Sequence, residues 1–197
     1  MNLYLYLPSN IEYTENSFNK LKSIFNIKNV QMINSFPFNE EINNGILWIN
    51  SHGFDRNSEH DFLIQGLTKD KIRKDYLQYF TMNKSGQLFI PSKNLSKLFL
   101  IKNSIILFDS CYSSEIDLRT LSNWKSNLIF TTGYIPDNYT IKWSGLIKAI
   151  LYVADYIKKN KDIKTLDYNS IERNKETINN YFENVLNKQF KTQFILF

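Results

Sequence analysis

At 197 residues, 43% hydrophobic and 15% aromatic, the chain is long enough for one substantial core and short for two. Its net charge of +5 comes from lysines scattered among Asn, Asp and Glu, so no nucleic-acid partner is expected. No apolar run nears the roughly 18–20 residues that span a bilayer, and a lone cysteine excludes an internal disulfide framework.

The N-terminus, Met-Asn-Leu-Tyr-Leu-Tyr-Leu-Pro, has no basic leader and no small-residue cleavage site. With the single thiol, this gives the expectation of a cytoplasmic protein with no membrane partner. Asn2–Leu7 reads as a first strand, closed by a turn at Pro8, Ser9 and Asn10. A helix follows, with Thr14 or Asn16 as cap and Phe18, Leu21, Ile24 and Phe25 on one face. Val30–Ile33 is a second strand, Asn34–Asn44 a polar connection, and Ile46–Ile49 a third strand leading to His52. This order predicts an α/β sheet with crossover helices.

The segment from Phe54 to Ser92 is the least regular. It holds Asp55, His60 and Asp61, a predicted helix over Lys69–Phe80 and an extended piece at Gln87–Ile90. A lone histidine in a charged loop is a poor metal site, and no metal or cofactor is expected. Lys93–Leu100 reads as a helix feeding the strand Ile105–Phe108, and Glu115–Trp124 as another helix. Leu128–Thr132 is a further strand, closed by Gly133 and a turn through Pro136, Asp137 and Asn138. Ile141–Lys158 has the clearest helical spacing, from Trp143 to Ile157, with lysines at its carboxyl end. A last helix over Ser170–Asn187 and an edge strand over Thr192–Phe197 complete a single domain, 1–197.

Two stretches share one layout. Gly45-Ile-Leu-Trp-Ile-Asn-Ser-His-Gly53 and Ser104-Ile-Ile-Leu-Phe-Asp-Ser-Cys-Tyr-Ser113 are each an unbroken apolar run that stops at polar residues. Such runs suit strands buried on both faces of a parallel sheet, and ligands bind just beyond the carboxyl ends of those strands. If the strands are neighbours, the Cys111 thiol and the His52 imidazole emerge side by side. An imidazole beside a thiol generates the thiolate nucleophile and later protonates a leaving amine. Gly53, with no β-carbon, lets backbone approach a substrate closely, so its N–H and that of Cys111 are the candidate oxyanion donors. The alternative is a buried structural thiol and an unrelated histidine.

The hydrophobic block ending in His-Gly, followed by one ending in acid-small-Cys, resembles the caspase-like cysteine peptidases: caspases, metacaspases, clostripain, gingipains, separase and the bacterial CHAT proteases. His52 and Cys111 are 59 residues apart, close to the ≈50 typical of caspases. The resemblance extends over nearly the whole chain. It implies a three-layer α/β/α sandwich around a mostly parallel sheet of about six strands. It also implies Cys111 as nucleophile and His52 as general acid/base, a dyad without a third carboxylate.

Caspases carry Gln-Ala-Cys, whereas Asp109-Ser110-Cys111 is closer to metacaspases and clostripain. In those relatives the acid lines a pocket for Arg or Lys, so the resemblance implies cleavage after a basic residue. Asp109 holding the cysteine loop is the alternative. By the same resemblance Thr132, Gly133 and Tyr134 form one wall of a cleft where a peptide substrate adds as an extra strand. Control then falls to loop ordering, processing, dimerisation or a separately encoded activating or regulatory protein, in a setting such as bacterial defence or cell death. A catalytically silent binding module with the same fold is the rival reading. A Rossmann-like nucleotide binder is disfavoured, because Pro8-Ser9-Asn10 stands where a glycine-rich loop belongs.

Overall fold

Strands that are apolar on both sides belong in the middle of a parallel sheet, and the runs leading to His52 and Cys111 are found there. The computed structural model describes residues 1–7, 15–54, 63–134, 145–161 and 165–197. The strands in chain order are β1 (Asn2–Tyr6), β2 (Asn29–Ile33), β3 (Phe38–Asn43), β4 (Ile46–Asn50), β5 (Gly53–Phe54) and β6 (Leu63–Gln65). They continue as β7 (Thr81–Met82), β8 (Leu88–Pro91), β9 (Phe99–Lys102), β10 (Ile105–Asp109), β11 (Leu128–Thr132) and β12 (Phe194–Leu196). The α-helices are α1 (Glu15–Ile24), α2 (Leu95–Leu98), α3 (Gly145–Lys161), α4 (Tyr168–Arg173), α5 (Lys175–Tyr181) and α6 (Asn187–Phe190).

The main sheet has six strands in the order β12-β11-β10-β4-β1-β2. All neighbours are parallel except β12, which runs antiparallel to β11. The α/β class with a mostly parallel sheet follows from the sequence as expected. Alternation along the strands divides the core. Leu3, Leu5, Ile46, Trp48, Ile105 and Leu107 face α1, α3 and the C-terminal helices. Tyr4, Tyr6, Leu47, Ile49, Ile106 and Phe108 face the other way, against Phe36, Phe99 and Trp124. Ile46 to Ile49 and Ile105 to Phe108 are all fully buried, and each such side chain contributes about 1.5–3 kcal/mol relative to exposure.

The second face is covered mainly by short pieces: α2, several 3-10 turns, the parallel pair β3–β9 and a four-stranded antiparallel sheet, β5-β6-β8-β7. Here several predicted elements change. The helix expected over Lys69–Phe80 is two 3-10 turns, Lys69–Lys71 and Lys74–Tyr79. The buried Ile72 and Phe80 sit on extended residues just after each turn, so no helical stripe exists to be buried. Lys93–Leu100 shortens to α2 because Phe99 and Ile101 are buried while Leu100 and Lys102 are exposed, the period of a strand. The connection over 34–44 contains β3, whose Phe38 and Ile42 are buried against β9. Glu115–Trp124 is 3-10 structure in two pieces, Ser113–Glu115 and Leu118–Trp124.

The last helix is split. Its start is a capping box, with Asp167 accepting from the Ser170 N–H at 2.7 Å and Ser170 Oγ accepting from the Asp167 N–H at 2.9 Å. It breaks at the buried Asn174, whose amide donates to the Ser170 carbonyl at 2.7 Å, and passes through a π turn at Phe182–Leu186. The readings at Pro8–Asn10, Thr14, Asp55, His60, Asp61, Pro136–Asn138 and Trp143 lie outside the described residues. Among the described residues no helix is long and apolar enough to cross a membrane.

Candidate active site

β4 and β10 are adjacent and parallel, and their last paired residues are Asn50 and Asp109. His52 and Cys111 therefore each follow the same rung by two residues, at the carboxyl edge of the sheet. The pairing persists one step further, where the Ser51 N–H donates to the Asp109 carbonyl at 3.2 Å. Neighbouring strands are about 4.8 Å apart, so the backbones that carry the two side chains start within reach of a common carbonyl. His52 is exposed and Cys111 half-buried. The sequence-predicted pair is brought to one edge.

Beyond β4 the chain turns into the small sheet. Gly53 pairs with Ile64, and the Gln65 N–H donates to the His52 carbonyl at 3.2 Å. That bond pattern makes Gly53 and Ile64 a non-hydrogen-bonded pair, so the N–H of Gly53 points away from β6. An N–H aimed off a sheet edge is what an oxyanion donor requires. The other candidate donor, the Cys111 N–H, makes no hydrogen bond to a described residue.

The cysteine loop is tightly specified. Ser110 donates its N–H to Phe108 at 3.1 Å, and Ser113 donates to Ser110 at 3.1 Å. Tyr112, the residue after the thiol, is in the left-handed region at φ 65°, ψ 7°. For a residue with a β-carbon this costs about 1–2 kcal/mol, so the surroundings must hold it. Ser113 does so. Its fully buried hydroxyl lies 2.8 Å from the Phe108 carbonyl and 3.0 Å from the Thr132 carbonyl, and accepts from the Thr132 N–H at 2.8 Å. One side chain thus ties the loop to the ends of β10 and β11. Tyr112 also stacks on Tyr134, with ring centroids 5.5 Å apart. The hydroxyl of Ser110 is buried without a partner among the described residues.

Asp109 is 8% exposed, and its Oδ2 accepts from the Trp48 indole N–H at 3.1 Å. The acid and the indole thus join β10 to β4 just below the site. Thr132 is fully buried, with its hydroxyl near the Gly133 carbonyl at 3.4 Å. The Gly133 N–H donates to the Gln193 carbonyl at 2.6 Å, and a β-carbon here would lie 3.0 Å from Thr192 Oγ1. Of the three residues expected to form a cleft wall, Tyr134 is the one that reaches solvent, at 48% exposed. From Phe54 and Tyr134 the chain continues into 55–62 and 135–144, outside the described residues.

Among the described residues no cluster of His, Cys, Asp and Glu has the makeup of a metal site. A hollow of about 320 Å³, whose lining includes neither His52 nor Cys111, is formed by Trp124, Lys125, Ile129, Lys175 and Phe197 among others. Its polar floor is already used inward, since Trp124 donates to Phe99 and Asn127 to Ile101. The strand-end edge is the better site on chemistry, because the thiol and the imidazole are there.

Sequence reasoning weighed Ser113 only as a disfavoured hydroxyl nucleophile and missed its role in tying the loop, as it missed the Trp48–Asp109 bond. A tryptophan inside a fully buried strand needs an acceptor for its N–H, which was a usable signal for the latter. Nothing in the sequence distinguishes Ser113 from Ser110 or Ser114. Comparison of the chain with protein-family models, with curated proteins and with solved structures gives no match.

Proposed function

We propose that this protein is a caspase-like cysteine endopeptidase with a Cys111/His52 dyad. The observation that carries the reading is the shared rung: Asn50 and Asp109 pair, and the base and the nucleophile each follow by two residues at the carboxyl edge. The mostly parallel sheet and the outward N–H of Gly53 support it further. In the first step the His52 imidazole takes the thiol proton and Cys111 Sγ bonds to the carbonyl carbon of a peptide. The resulting oxyanion accepts from the Gly53 and Cys111 N–H groups. Collapse breaks the C–N bond, and His52 delivers its proton to the departing amine, leaving a thioester. Water, deprotonated by His52, then releases the acid and restores the thiol.

The proposed substrate is a protein or peptide with Arg or Lys before the scissile bond, paired with Asp109. Asp109→Asn is the informative variant, because an amide oxygen still accepts from Trp48. Loss of the basic preference in a substrate library, with folding intact, supports the pocket assignment. Retention of that preference assigns Asp109 to anchoring β10 on β4.

The class itself is tested by covalent labelling with a peptidyl-arginine acyloxymethyl ketone. Labelling is expected in the wild type and its complete loss in Cys111→Ala. His52→Ala is expected to slow hydrolysis by about 10²–10⁴-fold. No labelling of wild type, with or without a candidate activating protein, overturns catalysis and leaves the binding-module reading.

A further inference from the structure

His52 stands past the last pairing of β4, so the main sheet alone does not hold it. Its carbonyl accepts from the Gln65 N–H at 3.2 Å. Gln65 is paired with Phe89 of β8 on one side, and on the other buried hydroxyls converge on its carbonyl. Tyr6, the last residue of β1, donates its phenol to the Gln65 carbonyl. Ser51, between β4 and His52, has its Oγ 3.3 Å from that carbonyl and 3.3 Å from the His52 carbonyl. Tyr6, Ser51 and Gln65 are 0%, 6% and 4% exposed.

The Tyr6 ring has other anchors, Phe36 and Phe99, at centroid distances of 5.6 and 6.2 Å. A phenylalanine would keep those contacts. Burying a hydroxyl costs unless it is bonded, so the phenol oxygen has a use of its own, and that use is the Gln65 carbonyl. The consequence is geometric: β1 and β4, through Tyr6 and Ser51, dock β6, and β6 sets the His52–Gly53 backbone.

We propose that Tyr6 and Ser51 are positioning residues for the base, their hydroxyls converging on the Gln65 carbonyl so that the Gln65 N–H holds the His52 carbonyl in place. This rests on the peptidase reading of the site. Neither residue touches substrate. Removing the hydroxyls is expected to loosen the backbone that carries the imidazole, while the bonds of the Cys111 loop, which involve neither hydroxyl, stay in place.

The test uses the full chain as wild type, Tyr6→Phe, Ser51→Ala, the double variant and His52→Ala. Amide hydrogen exchange reads the clamp. In the double variant the Gln65 amide is expected to exchange roughly five- to tenfold faster. The pH profile of Cys111 alkylation by iodoacetamide reads the function. The midpoint in the double variant is expected to move toward that of His52→Ala, with at least a several-fold slower rate near neutral pH.

An unchanged Gln65 amide overturns the clamp. A faster Gln65 amide with a wild-type alkylation profile overturns the positioning role and leaves a purely structural one. If wild type and His52→Ala share one alkylation profile, the dyad itself fails and the inference falls with it, a result separate from the exchange measurement. Should the double variant not fold, Ser51→Ala alone carries both readouts, with a smaller shift.

Discussion

His52 and Cys111 leave the same rung of the main sheet, yet the two arms are held by different means. The cysteine arm is tied back onto the parallel sheet itself: Ser113 bridges Phe108 and Thr132, and Tyr112 is kept in a left-handed conformation between them. The histidine arm is handed over to an accessory layer, the antiparallel sheet β5-β6-β8-β7, through Gln65. Bonds inside the parallel core open only with the whole fold, whereas a small docked sheet opens at lower cost. A nucleophile fixed by the core and a base fixed by a docked layer make the layer the natural place to modulate activity.

The comparison is best broken on the cysteine side. Ser113→Ala leaves the Thr132 N–H and the Phe108 carbonyl buried without their partner, and is expected to destabilise by about 2–3 kcal/mol. Denaturant unfolding measures this. Because the bonds lie within the core, global stability and Cys111 loop geometry are expected to fall together. Trp48→Phe comes next, at about 2 kcal/mol, since Asp109 loses a buried donor while the aromatic volume is largely kept. Trp48 lies on β4 and Asp109 on β10, so this variant strains both arms, and the Ser51 and Gln65 amides are expected to exchange faster alike.

The histidine side gives a pH-dependent effect. Burial raises the Tyr6 phenol far above its ordinary value. In the folded state Tyr6 stays neutral where the unfolded chain ionises, so its contribution is complete below about pH 10 and is lost as the pH rises above it. The expected slope from this group is about −1.4 kcal/mol per pH unit, isolated as the difference between wild type and Tyr6→Phe. A difference curve that is flat in alkaline solution places the phenol in contact with solvent and breaks the docked-layer picture.

How much of this was legible in the sequence follows the same division. β4, β10 and β11 are continuous apolar runs with sharp polar ends, and such runs announce a buried parallel strand and its last residue. His52, Gly53 and Cys111 could be placed on one edge for that reason. The accessory layer could not be drawn. Over 63–91 the strands are two to four residues long and the helices are 3-10 turns, too short for either period to register. Its links to the core, Tyr6 to Gln65 and Ser51 to Gln65, join residues far apart in the chain through a backbone carbonyl, which no side-chain pattern encodes. Thr132 and Gly133 were expected in a cleft wall by the resemblance alone; no residue pattern foretold that their N–H groups engage Ser113 and Gln193.

The smallest effect serves as the control for all of these. Asp167 caps α4 through the Ser170 N–H, and its side chain bonds to neither arm. Asp167→Ala is expected to cost about 1 kcal/mol, a drop of about 2–4 °C in Tm for a chain of this size. If local opening at Gln65 merely tracked global stability, this variant would raise Gln65 exchange as much as an equal loss at Tyr6 does. A docked layer with its own opening equilibrium gives the other outcome. Asp167→Ala then leaves Gln65 exchange at the wild-type rate while the Phe130 amide, which reports the core, speeds up by roughly fivefold. Equal acceleration at both amides would merge the two regions into one cooperative unit and remove the basis for separate control of the histidine arm.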